Sequence, residues 1–217
     1  MTDIFREVDE EVRREQLKKL WERYQYIIIA AVVMVVVGVG GWRVYEWWEA
    51  RKAAEVGTRF ETAIVLSESG KHAEAEAVFA RIAEDGTSSY RPLARLRQAA
   101  ELTHRDQPAA IAVYRQIADD AGYDQVWRDL AAVRAGALMI DAGSYNDARK
   151  LLEPVVQARR DFRHTARELL ALAAWKAGDQ PLARKWYAAI LTDPEAPASS
   201  RARVEILITL SSADGKG

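Results

Sequence analysis

The chain contains no cysteine and a single asparagine, Asn146, among its 217 residues. Without cysteine there is no disulfide framework, no thiolate nucleophile and no cysteine-based metal site. An oxidising compartment is compatible with that composition but is not required by it. Neither sign of charge dominates: 31 basic residues face 32 acidic ones. Nucleic-acid binders carry a basic excess, so no nucleic-acid partner is expected. Histidine is scarce as well. His72, His104 and His164 lie far apart in sequence, near helix ends, without metal-ligand spacing, and read as exposed turn or cap residues. No glycine-rich phosphate loop and no nucleophile motif is present. Acid pairs such as Glu10-Glu11 and Asp119-Asp120 read as solvated faces. Catalytic, cofactor-binding and metal-binding residues are therefore all expected to be none, and the chain does not read as an enzyme. A site hidden between repeats would instead appear as convergent groups with shifted pKa values in one cleft.

What the chain does have is a run without charge. Nineteen residues, Tyr24 to Trp42, are bracketed by Arg23 and Arg43. A helix of that length spans roughly 28 Å, close to the hydrocarbon core of a bilayer. Tyr24 and Tyr26 sit at one edge; Trp42, Tyr45, Trp47 and Trp48 sit at the other. Such amphipathic rings suit a membrane–water interface. The run is rich in β-branched residues, which favour strands in water, but strands are far shorter than this. A cleaved signal peptide would need a short basic lead and a small-x-small site. Here a long mixed-charge stretch precedes the run and Gly40-Gly41-Trp42-Arg43 follows, so an uncleaved transmembrane helix over 24–42 is expected. Arg13, Arg14, Lys18, Lys19 and Arg23 precede it; Arg43, Arg51, Lys52 and Arg59 follow. Five against four is a slight bias toward a cytoplasmic N-terminus and leaves orientation open.

Residues 1–23 form the first segment, a cytoplasmic arm in that orientation. Phe5, Val8, Val12, Gln16 and Leu20 fall on one stripe of an amphipathic helix, with Leu17, Trp21 and Tyr24 beside it. The arm is either a solvated or membrane-lying extension or a contact for another membrane protein.

Residues 43–217 follow a 3.6-residue apolar period throughout and repeat internally. Four segments begin at Gly70, Arg105, Gly143 and Gly178, spaced by 35, 38 and 35 residues. Each has alanine at its sixth place: Ala75, Ala110, Ala148 and Ala183. Four places on comes Phe79, Tyr114, Leu152 or Tyr187, and three further on Ile82, Ile117, Val155 or Ile190. Helix pairs that cross closely need a small residue at the crossing, with large residues filling the next turns. Ala63, Ala99, Gly136 and Ala171 are the matching small positions on the first helices. Pro108 and Pro181 fall in first turns, where a missing N–H costs least. Gly70, Gly143 and Gly178 fall where a left-handed cap is wanted. The expected fold is all-α, with four helix pairs: 51–69 with 72–85, 90–104 with 107–121, 124–142 with 145–160, and 163–177 with 180–192. A capping helix is expected near 199–212, and Pro154 should kink the sixth helix. Trp127, Trp175 and Trp186 read as core. The pattern resembles the tetratricopeptide repeat, whose period is 34 residues. Some domains of that kind clamp a chaperone's C-terminal carboxylate with paired asparagines; one asparagine, opening a second helix, argues against such a clamp here.

The whole plan resembles the YfgM family: an amphipathic arm, one uncleaved span ending in Gly41-Trp42-Arg43, an aromatic juxtamembrane stretch, a helix beginning near Ala50, then about four degenerate repeats. The resemblance implies a non-enzymatic ancillary subunit of the SecYEG translocon in the inner membrane. It further implies a cytoplasmic N-terminus, periplasmic repeats that bind protein partners, and association with a membrane-anchored periplasmic chaperone of the PpiD type. The alternative is a membrane-anchored adaptor for another envelope complex, such as cell-division or outer-membrane assembly machinery.

Overall fold

The computed structural model describes the backbone of residues 3–157 and 159–214, with side chains at Lys18 and over 21–209 except 28 and 158. The apolar stripe Phe5, Val8, Val12, Gln16, Leu17 and Leu20 lies outside the described side chains. Among the described residues the fold is all-α. It comprises α1 (Asp3–Glu68), α2 (His72–Asp85), α3 (Tyr90–Leu102), α4 (Gln107–Asp119), α5 (Gln125–Asp141), α6 (Tyr145–Leu152), a 3-10 turn (Glu153–Val156), α7 (Arg163–Lys176), α8 (Gln180–Leu191) and α9 (Ala198–Asp214). The chain divides into two compact units, the first ending at Ala54 and the second beginning at Glu55.

In the second unit each helix packs on its chain neighbours, and α5 with α7 and α7 with α9 also meet. The core is accordingly a series of four clusters rather than one centre. Val56, Phe60 and Ala63 of α1 meet Phe79 and Ile82 of α2 and Ala94 of α3. Leu96 and Ala99 of α3 meet Tyr114 and Ile117 of α4 and Ala131 of α5. Ile140 of α5, Leu152 of α6 and Leu170 of α7 form the third, and Ala171, Tyr187 and Val204 of α7, α8 and α9 the fourth. Each cluster joins the two helices of one repeat to the first helix of the next, as a stacked solenoid requires. The repeat alanines Ala75, Ala110, Ala148 and Ala183 are all 0% exposed. At Gly136 even a Cβ would lie 2.8 Å from the Leu152 side chain, so α5 and α6 cross at contact distance.

The turns follow from their residues. Gly70, Gly143 and Gly178 adopt φ of 76°, 79° and 79°, the left-handed region that glycine tolerates. After each, the next residue's N–H reaches back to Leu66, Met139 or Ala174 at 2.8–2.9 Å, closing a Schellman cap. The carboxylates of Asp106 and Asp179 accept from the Ala109 and Leu182 amides at 3.0 Å, just before Pro108 and Pro181. Pro154 does not kink a helix as expected; α6 ends at Leu152 and the chain continues as the 3-10 turn. The proline there sits in a first turn, where no N–H is required of it.

Candidate functional site

Three features of the molecule carry unusual chemistry. The first is α1 in the first unit. Val32, Val35, Val36, Val37 and Val39 are all exposed, as are Trp21, Trp42, Trp47 and Trp48. One stretch of this helix is long and apolar enough to cross a membrane. The Arg51 guanidinium stands 4.4 Å from the Trp47 ring centroid and the Lys52 ammonium 5.7 Å from that of Trp48, so each cation covers an aromatic face.

The second feature is a charged seam holding the last repeat. Arg167 donates to Asp193 at 2.7 Å, and Arg163 pairs with Glu195, both acids lying between α8 and α9. The Arg167 hydrogen bond, with that of the Glu195 amide, holds the Asp193 carboxyl below its usual range. His164 sits beneath this seam. It is buried, its Nδ1 is 3.9 Å from Asp193, and neither ring nitrogen has a hydrogen-bond partner among the described residues. The expected exposed cap residue is therefore a core residue, because the α8–α9 loop folds over the first turn of α7. Burial, and then the neighbouring Arg163, lower its pKa, so the neutral ring is favoured. On α9, Arg203 grips Glu168 of α7 through two hydrogen bonds of 2.7 and 2.9 Å. Between α6, α7 and α8 lies a cleft of about 60 Å³ lined by Tyr145, Arg149, Leu170, Ala174, Asp179 and Leu182. It is far below the hundreds of Å³ that a small-molecule site occupies. Trp127, Trp175 and Trp186 are partly buried against the core clusters, in keeping with their reading as packing residues.

The third feature was hidden by sequence distance. His72 opens α2, Glu101 lies in the last turn of α3, and His104 lies in the turn after that helix. The His72 and His104 rings stack at a centroid distance of 3.6 Å, inclined by 8°. His72 Nδ1 lies 2.8 Å from Glu101 Oε2, and the Ser67 hydroxyl donates to Oε1 at 2.7 Å. Glu101 is 5% exposed, whereas His104 is exposed. One ligand atom from each of the three residues lies within 4.8 Å of the others. A second buried acid, Asp129, is held by Arg160 at 2.8 Å and by the Gln125 amide at 2.8 Å, an ordinary satisfied pair. Neither buried acid announced itself in the sequence, where each reads as one more charge on a mixed face.

No solved structure matches. A curated protein of Haemophilus influenzae named "Ancillary SecYEG translocon subunit" is 24% identical over 148 residues, covering 68% of this chain and 72% of that one. The family described as Tetratricopeptide repeat-like domain matches residues 18–208. With most of its length in that match and the repeat alanines buried at the helix crossings, the chain belongs to the tetratricopeptide repeat-like domain family.

Proposed function

We propose that this chain is a non-enzymatic scaffold subunit of the Sec translocon, anchored in the inner membrane. The observation that carries the reading is the exposed apolar stretch of α1, long enough to cross a membrane and with none of it buried, on a chain whose remainder is a helical repeat. A monomer in water does not leave so large an apolar surface uncovered. In lipid the same surface is solvated, and the helix satisfies its own backbone polar groups. The translocon enters through the relative named for it. The division follows: residues 1–23 as cytoplasmic arm, 24–42 as span, 43–217 as periplasmic repeats. The repeats would bind protein partners through apolar and mixed-charge contacts, a PpiD-type chaperone among them. No cofactor and no catalytic residue is part of this reading.

Crosslinking in native membranes followed by identification of the captured chains tests it. Recovery of translocon subunits and a periplasmic chaperone is the expected outcome. Recovery of a cell-division or outer-membrane assembly complex instead would sink the translocon assignment and leave the anchored scaffold.

A further inference from the structure

We infer that His72, Glu101 and His104 form a binding site for a divalent transition-metal ion of the zinc class. The Glu101 carboxylate is buried, and a buried carboxylate needs both donors and a compensating charge. Ser67 and His72 supply donors. Among the described residues, no lysine or arginine lies within salt-bridge distance of Glu101. The flanking cations are engaged elsewhere: Lys71 with Glu74 at 3.4 Å and Arg105 with Glu76 at 2.7 Å. His72 pairs with the carboxylate as an ion only when its ring is protonated, and a divalent ion would supply positive charge there with the ring neutral.

Satisfaction of Glu101 accounts for His72 but not for His104. The His104 ring is exposed and makes no hydrogen bond among the described residues. It lies over His72 almost face to face, at 3.6 Å and 8°, the arrangement that aromatic pairs favour least. A shared ion gives both rings a reason to stand beside one carboxylate. Two imidazoles and one carboxylate suit Zn2+ and leave its fourth position to water or to a group from a partner. A tetrahedral ion holds its ligand atoms about 3.4 Å apart. Rotation of the exposed His104 ring supplies the closure from the present spread of up to 4.8 Å. The ion would tie the α1–α2 turn to the end of α3, joining the first repeat to the second. This site stands independently of the translocon reading.

The test uses the full-length chain without a polyhistidine tag, stripped by chelator and held in mild detergent. Calorimetric titration with Zn2+ should give saturable binding of one ion per chain. X-ray absorption should report two imidazoles and one oxygen ligand from the protein. His104→Ala should weaken binding at least about tenfold with an unchanged helical spectrum, because that ring is exposed. His104→Gln, which keeps polarity and bulk, should weaken it equally, and Glu101→Gln should do so as well. Saturable binding absent from the unsubstituted chain, or unaltered in both His104 variants, would overturn the assignment.

Discussion

Val35, Val36 and Val37 are 63%, 64% and 67% exposed, whereas Phe79, Ile82 and Leu152 are 0% exposed. Both sets belong to α-helices and both are strongly apolar. They differ in what surrounds them. In the second unit, small residues let helices approach, and each large side chain is covered by the neighbouring repeat. In the first unit the described apolar side chains have no neighbouring helix over them, and every glycine from Gly38 to Gly41 has open space around it. Burial in the second unit is worth about 1.5–3 kcal/mol for each large side chain. The exposed side chains of the first unit would collect the same gain on entering an apolar solvent. One principle, removal of apolar surface from water, thus builds a helical repeat in one region and, in the other, leaves a helix long and apolar enough to cross a membrane.

The largest expected effect breaks the comparison at its membrane side. Val35→Asp with Val36→Asp should cost about 5–7 kcal/mol of insertion, at about 2.5–3.5 for each central charge. Fractionation should then move the protein out of the carbonate-resistant membrane pellet. Next comes the core: Phe79→Ala should destabilise the repeats by about 3–5 kcal/mol, since Phe79 is packed edge-on against Phe60 at 5.1 Å. Val36→Ala, an equally apolar truncation on the exposed surface, should leave the thermal midpoint of the repeats unchanged. Gly136→Val should cost about 1–3 kcal/mol by driving a side chain into Leu152, read as a lowered midpoint in a denaturant titration.

Smallest are two pH effects within the seam of the last repeat. Asp193 has a folded-state pKa below its ordinary 3.8, so its stabilisation is present above that pH and is lost as pH falls through the lower folded value. His164 has a folded-state pKa below its ordinary 6.5. The unfolded chain therefore binds its proton first, and stability drops as pH falls from 6.5 toward the folded value. Thermal midpoints across pH should show both slopes. Asp193→Asn should flatten the acid limb and His164→Gln the limb nearer neutrality.

The repeats were legible in the sequence because their determinants are local. Ala75 and Phe79 are four residues apart, and the glycine turns recur at nearly constant spacing. A period of that kind survives without knowledge of the fold. The uncharged run was legible for the same reason, and the matching family bears out the all-α repeat. Pro154 was misread because the same residue that kinks a helix interior also opens a 3-10 turn; only the chain's path decides between them. His164 was misread because the loop that covers it, with Asp193 and Glu195, follows the second helix of the same repeat, far from His164 in the chain. The His72, Glu101 and His104 cluster was invisible because no fixed spacing brings the start of one helix to the end of the next. Its members meet only once α2 and α3 have packed.

The central claim is that the exposed helix anchors the chain with its repeats outside the cytoplasm, and proteolysis of intact spheroplasts tests it most directly. With an N-terminal epitope, added protease should remove the repeats and leave a tagged fragment ending near Arg43 that survives until the membrane is dissolved. Full protection of the repeats in intact spheroplasts, followed by digestion on lysis, would contradict the account.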